Sequence, residues 1–489
     1  MPPQASTSTQ PLDLVPGTAL GPFQLGSLLF NVLNHVREYR DTYPHAQLAW
    51  DEEHPLASPV HLALTTPPLH LTFSAPSQRL SRIQVVGPAP GSHVIYRSQR
   101  LQEPALSLEA HEEDGEEEEE EETGEDVVKR IRRILGPTFG SSRAPVGENG
   151  RGEDMLCYPG VAFGVTTTPS GSKRLKRIVL TPLPAPKNAS IDQAWLHPEV
   201  EEANLAVAQG DLARAVVEVD PTSRSKPRIT LHFHSATGTP AATGATSSPS
   251  TMHTASPVAD IKPGIFEIGE TTSEDILCEL GSAIRTFWKE DDRLTIHTAA
   301  VGSPTHASLE PNPYFLSYPH LGLTLLVSVP ATSSSSQPHV LEKVILHSNT
   351  PGLVQFGRTA RALWSLRLRR EQREDAVTGM DIQEERVERK DEEEEEGVKV
   401  EQGFEAVRSF LRGAGVQEDE RPMELDRTAY ATASAPAGGT APASAGREGL
   451  QQQQQDSGLR GPTTEIYGFS SGMACEVTQS GDVETLWLF

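Results

Sequence analysis

His232 and His234 form an H-x-H pair in this 489-residue chain. On a strand that spacing points both imidazoles to one side, where two zinc ligands can sit. The segment offers no third Cys, His or carboxylate nearby, so the pair reads as ordinary strand surface. His61 and His70 fall between inward apolar residues of predicted strands and read as outward, solvated positions. The three cysteines, Cys157, Cys278 and Cys475, are far apart and make no C-x-x-C pair. Each reads as a small apolar core residue in a reducing compartment rather than as a nucleophile or ligand. A phosphate-binding loop, a dinucleotide fingerprint, H-E-x-x-H and a G-x-S-x-G elbow are all missing. No catalytic, cofactor-binding or metal-binding residue is assigned, and the chain reads as a non-enzyme.

Two clusters point instead to binding. Lys173, Arg174, Lys176 and Arg177 flank a predicted turn, where cationic side chains can converge on a phosphate; a solvent-facing strand edge is the plainer account. The functional version is contact with an anionic lipid headgroup or an acidic partner surface. Trp364, Leu366 and Leu368, followed by Arg369 and Arg370, alternate as a strand entering a charged tail. Core packing accounts for them; so does an exposed apolar edge that docks a partner, because sheet edges readily accept another chain.

Composition limits how much of the chain can fold. Only 36% of residues are hydrophobic and 6% aromatic, with 39 Gly and 39 Pro, so a sizeable share cannot offset its own ordering entropy. The net charge of -25 is concentrated in the runs Glu116 to Glu122 and Asp391 to Glu396, which repel internally and are expected to stay solvated. That balance argues against bulk attraction to nucleic acid or anionic lipid, which needs clustered Lys and Arg. No stretch approaches the ~20 apolar residues of a membrane span, and Met1 to Gln10 lacks the features of a signal peptide. The expectation is a cytoplasmic protein whose membrane association is peripheral, through a partner or a surface patch.

The elements that would position these clusters repeat along the chain. Four segments end in apolar-x-x-apolar-x-apolar: Leu80, Ile83, Val85; Leu175, Ile178, Leu180; Leu341, Val344, Leu346; and Val483, Leu486, Leu488. An alternating run precedes each: Leu69, Leu71, Phe73; Val161, Phe163, Val165; Leu323, Leu325, Val327; and Met473, Cys475, Val477. Tyr158 with Gly160, Tyr318 with Gly322, and Tyr467 with Gly468 and Gly472 introduce three of these runs. Period-two alternation around turn residues predicts antiparallel hairpins with one buried face. Upstream of each lies a helical pattern: Leu28 to Val36, Val127 to Leu135, Ile276 to Leu280, and Phe404 to Leu411. Thr272 with Asp275 and Thr123 with Asp126 resemble capping pairs, and Gly136, Gly281 and Gly413 are placed to end helices.

From this follows an α+β fold of repeated helix plus antiparallel hairpin or meander units, packed face to face, with long disordered inserts. The expected units are residues 12–98, 125–183, 259–369 and 403–489. An acidic linker 99–124, a connector with an extra strand 184–235, a low-complexity loop 236–258 and a charged linker 370–402 separate them, and an insert 416–462 interrupts the last. Within the connector, Arg228 to His234 alternates as a strand, with Ile265 to Ile268 as its partner.

The third unit resembles a known family. Thr272-Ser273-Glu274-Asp275-Ile276-Leu277-Cys278-Glu279-Leu280-Gly281-Ser282, Tyr314-Phe315-Leu316-Ser317-Tyr318 and Leu321-Gly322-Leu323 are similar to the phagosome assembly factor 1 family. The likeness continues through Lys343-Val344-Ile345-Leu346-His347-Ser348-Asn349 and Pro351-Gly352, and more weakly through Phe23, Leu25-Gly26, Pro55-Leu56, Gln78-Arg79-Leu80 and the last strands. Long acidic, Ser/Thr/Ala-rich and glutamine-rich inserts depart from the family pattern. The resemblance implies a scaffold in autophagy, assembling with a WD40-type β-propeller protein that recognises phosphoinositides at the phagophore assembly site. A Golgi or trans-Golgi trafficking role and direct phosphoinositide or lipid binding are the alternatives. The family carries no catalytic residues to transfer.

Overall fold

The computed structural model describes residues 11–87, 89–102, 127–137, 141–143, 153–167, 173–183, 205–222, 224–234, 263–288, 313–328, 338–369, 397–426 and 463–489. The acidic runs, residues 236–258, the Ser-rich loop 331–337, the glutamine run and the Thr123–Asp126 pair lie outside them. Among the described residues there are 26 β-strands and four α-helices, so the protein is mostly β. The expected α+β repeat of helix plus hairpin is thereby corrected.

Two compact units divide the chain: residues 1–51 with 58–208, and residues 52–57 with 209–489. The first runs β1 (Leu12–Val15), β2 (Ala19–Leu20), β3 (Phe23–Gln24), α1 (Leu29–Glu38), β4 (Ala46–Ala49), β5 (Val60–Thr65), β6 (Pro68–Phe73) and β7 (Leu80–Val85). It continues with β8 (Val94–Tyr96), β9 (Gln99–Arg100), α2 (Val127–Leu135), β10 (Ser141–Arg143), β11 (Asp154–Tyr158), β12 (Val161–Thr167) and β13 (Lys173–Leu180). The second unit repeats this order. It begins with β14 (Leu212–Val219), β15 (Arg228–Phe233), β16 (Gly264–Glu267), α3 (Ser273–Leu280), β17 (Arg285–Trp288), β18 (Tyr314–Tyr318), β19 (Leu323–Ser328) and β20 (Val340–His347). Then follow β21 (Trp364–Leu368), β22 (Val398–Lys399), α4 (Gly403–Gly413), β23 (Met423–Asp426), β24 (Thr463–Phe469), β25 (Met473–Val477) and β26 (Val483–Leu488).

Sheet orders repeat as well. Each unit has a five-stranded sheet, β3-β2-β1-β8-β9 or β16-β15-β14-β21-β22, and an eight-stranded sheet, β10-β11-β12-β13-β7-β6-β5-β4 or β17-β18-β19-β20-β26-β25-β24-β23. In both five-stranded sheets the third and fourth strands are parallel. The predicted pairing of Arg228 to His234 with Ile265 to Ile268 is the β15–β16 ladder.

The hairpins read from the sequence are present, but they join edge to edge rather than face to face. The last strand of one meander pairs with the last strand of the next, Val85 with Ile178 and Leu346 with Leu486. A terminal strand with an open side carries a row of unmet N–H and C=O groups, and the matching strand of the following meander satisfies them.

The recurring apolar-x-x-apolar spacing also has a specific cause. In a regular strand, residues three apart face opposite ways. Here each pattern contains a β-bulge, placed where Phe73 faces Leu80 but Thr72 faces Arg82, where Val165 faces Leu175 but Gly164 faces Arg177, and likewise at Val327/Leu341 and Val477/Val483. Ser81, Lys176, Glu342 and Glu484 are the additional residues. One inserted residue returns the next apolar side chain to the core face, so Leu80 with Ile83, Leu175 with Ile178, Leu341 with Val344, and Val483 with Leu486 are all buried together.

In the second unit both sheets close on one core. Ala215, Val217, Ile229, Leu231, Trp364 and Leu366 of the smaller sheet share it with Tyr318, Leu325, Val344, Cys475 and Leu486 of the larger one. Ile276 of α3 and Phe404, Val407 and Leu411 of α4 complete it, as does Leu56 from residues 52–57. The Arg361 side chain, 5% exposed, donates from Nε to the Ser348 carbonyl at 2.8 Å and from Nη1 to the Leu56 carbonyl at 3.2 Å.

Helix ends follow the predicted chemistry at α3. Thr272 Oγ1 accepts from the Asp275 amide at 3.2 Å while Asp275 accepts from the Thr272 amide at 3.0 Å, a reciprocal cap. Gly281 ends this helix with φ +73°, whereas at α4 Gly413 stays helical and Gly415 takes the left-handed turn with φ +82°. The tyrosines ahead of the hairpins fix helix to sheet. Tyr158 donates its hydroxyl to the Gly136 carbonyl at 3.0 Å, and Tyr318 donates to the Gly281 carbonyl at 2.9 Å.

Candidate interaction surfaces

The basic cluster lies on β13, beside its bulge. Lys173, Arg174 and Lys176 are exposed, while Arg177 is half-buried and holds Glu153 through Nε to Oε1 at 3.1 Å and Nη2 to Oε2 at 2.9 Å. The Arg177 guanidinium is committed to this fork, and Lys173, Arg174 and Lys176 lie on the strand surface. The turn residues 168–172 lie outside the described residues.

The Trp364, Leu366 and Leu368 strand is no open edge. β21 is flanked by β14 on one side and β22 on the other, and Trp364 and Leu366 are 1% and 0% exposed. Leu368 is half-buried. Alternation revealed a strand here but carried no information about how many neighbours it has.

Among the described residues an edge stands open elsewhere. β17 ends the larger sheet of the second unit, and all four of its residues are exposed, with Phe287 and Trp288 at 51% and 60%. Its inner side pairs with β18, Phe287 opposite Phe315 and Trp288 opposite Tyr314, whose rings lie 5.0 Å apart. Ile284 just before the strand and Leu277 on α3 add exposed apolar surface. Sequence reasoning passed over this segment because four residues are too few to display a period. The available signal was the dipeptide Phe287-Trp288 directly before the charged Lys289 to Asp292.

Side chains with chemical potential are otherwise held in structural roles. Cys157 and Cys475 are buried, and burial pushes the Cys475 thiol far up; Cys278, expected in the core, is exposed on α3. His61 is outward and its Nδ1 lies 3.2 Å from Thr72 Oγ1; burial, then Arg82 and His70, lower its pKa. The buried carboxylates of Glu476 and Glu484 accept from Thr464 Oγ1 at 2.7 Å and from the Thr350 amide at 2.9 Å. Among the described residues no three His, Cys, Asp or Glu side chains gather as a metal site, His232 and His234 included. Nor, among them, is any helix long and apolar enough to cross a membrane.

The family model described as phagosome assembly factor 1 matches residues 19–489, which takes in both eight-stranded sheets. The chain belongs to the phagosome assembly factor 1 family. No solved structure matches it.

Proposed function

We propose that this protein is a non-enzymatic scaffold in autophagy that acts with a β-propeller partner at the phagophore assembly site. Membership of a family named for phagosome assembly supports the autophagy part. The partner follows from what the resemblance implies. The observation that carries the reading is β17, an edge strand with two aromatic side chains exposed and its outer backbone groups facing away from the sheet. Such an edge accepts a further strand through main-chain hydrogen bonds, and exposed Trp and Phe supply the anchoring contacts that dominate binding energy.

Affinity purification of the tagged full chain from starved cells tests the proposal. A β-propeller protein is expected in the wild-type eluate and is expected to fall at least about tenfold with Phe287→Asp plus Trp288→Asp. Equal recovery from both would remove β17 from the interface. Absence of any β-propeller protein, together with normal autophagosome formation after deletion of the gene, would remove the scaffold reading itself.

A further inference from the structure

The four residues of β17 divide between two faces. The ladder to β18 sets Thr286 opposite Leu316 and Trp288 opposite Tyr314, on the side of the core, and sets Arg285 opposite Ser317 and Phe287 opposite Phe315, on the outer side. All four are nonetheless exposed, because the strand is the last of its sheet and, among the described residues, β18 is its sole strand neighbour. The corresponding edge of the first unit, β4, reads Ala-Gln-Leu-Ala and carries neither an aromatic ring nor a charge.

Arg-Thr-Phe-Trp is complementary to itself in one antiparallel register. With a two-fold axis perpendicular to the sheet at Thr286, this residue meets its own copy, and Arg285 meets Phe287 of the second copy on the outer side. The guanidinium then lies against an aromatic ring, whose face attracts a cation. Ile284, 56% exposed, comes level with Trp288 of the second copy. Both meetings on β17 join residues of like face, as the pleat requires, so a slip of one residue is excluded. A slip of two residues one way sets Arg285 on its own copy, like charge against like. The same slip the other way leaves Arg285 beyond the end of the opposing four-residue strand.

We propose that β17 pairs in this register with β17 of a second copy of the chain when no other strand occupies the edge. The inference rests on the reading of β17 as the dock of the β-propeller protein and adds its regulation, since the self-paired edge is closed to that protein. Four residues a side fall well short of the ~800 Å² that each member of a standard interface buries, so the pair is weak and gives way to a larger ligand. The net charge of -25 on each copy opposes approach at long range, and added salt is therefore expected to favour the pair.

Sedimentation velocity of the full-length protein over a concentration series tests the pairing. A dimer is expected to appear as concentration rises, to strengthen with salt, and to be lost in Thr286→Asp, which sets two carboxylates against each other on the axis. Phe287→Asp, whose carboxylate meets Arg285 across the pair, should weaken it less. Disulfide formation tests the register, in a Cys278→Ser background that removes the exposed native thiol. Thr286→Cys is expected to yield at least about tenfold more covalent dimer than Arg285→Cys, whose two copies stand diagonally at about 7–8 Å, beyond disulfide reach. The oxidised Thr286→Cys dimer should recover at least about tenfold less β-propeller protein than its reduced form. A wild type that stays monomeric at every concentration, or equal linking at residues 285 and 286, overturns the pairing; the dock reading is then still decided by capture with Phe287→Asp plus Trp288→Asp. Equal capture by the oxidised and reduced forms overturns the regulation and moves the dock off β17.

Discussion

The two units share their order of strands and helices, yet they differ where the repeat places no demand. Inward positions correspond closely: Leu71 and Leu325, Ile83 and Val344, Ile178 and Leu486 are all within 2% of complete burial. Outward positions diverge. The bulge residue on β13 is Lys176, exposed beside Arg177, while on β26 it is Glu484, buried beside Thr485. At the free edges, Ala49 stands opposite His61 in the first unit where Phe287 stands opposite Phe315 in the second. Duplication preserved what the core requires, and surfaces diverged because sheet packing constrains only one face. Features present in one unit alone are therefore the places to look for function.

The correspondence of the cores can be broken most severely. Ile178→Ala and Leu486→Ala each empty a site of 0% exposure and are expected to cost about 2–5 kcal/mol, read from denaturant unfolding. If one is silent, the two bulged strands are not equivalent. At the edges, Phe287→Asp should abolish most partner capture while Ala49→Asp leaves it intact, with stability changed by about 0.5 kcal/mol or less in both. Capture lost equally by the two would show that the edges have not diverged.

Smaller effects sharpen the helix attachments. Tyr158→Phe and Tyr318→Phe each remove the hydroxyl that donates to a helix-ending glycine and should cost about 0.5–1.5 kcal/mol. The Tyr318 hydroxyl, its pKa pushed up to about 12 by burial, stays a donor throughout the neutral range. Thr272→Ala should cost about 1 kcal/mol at α3, whereas α1, which has no side-chain cap at Leu28, offers nothing comparable to lose. The Thr272 side chain, then its amide, hold the Asp275 carboxyl below the usual carboxylate range. Its contribution is therefore complete above the unfolded pKa of about 4 and disappears as pH falls through the lower folded value. That acid-side slope should be shallower in the Thr272→Ala melting profile, where the amide of residue 272 still donates but the hydroxyl does not. Glu153→Gln, which breaks one partly exposed fork, is expected to change stability by about 1 kcal/mol or less.

Local structure was legible in the residues and long-range pairing was not. The periods at Leu29 to Val36 and Phe404 to Leu411 named helices, and the Thr272–Asp275 spacing named a cap that the side chains form. The spacing Leu80-x-x-Ile83 was visible as a repeat, although its cause, an inserted residue, becomes clear only against the partner strand. Nothing local in Val85 indicates that Ile178 is its neighbour, which is why joined meanders were read as units stacked on their faces. Trp364 illustrates the same limit: alternation identified its strand, and two neighbours distant in sequence closed both of its sides.

The seam at which meanders join has a consequence for synthesis. As the chain leaves the ribosome, β7 emerges with one flank vacant, and it remains so until Ile178 arrives; His347 likewise waits for Thr485. Nascent chains of this protein thus carry a sticky margin through a long interval, in which slow distant pairing exposes them to capture by other strands. The charged inserts made during each wait would keep neighbouring copies apart by repulsion.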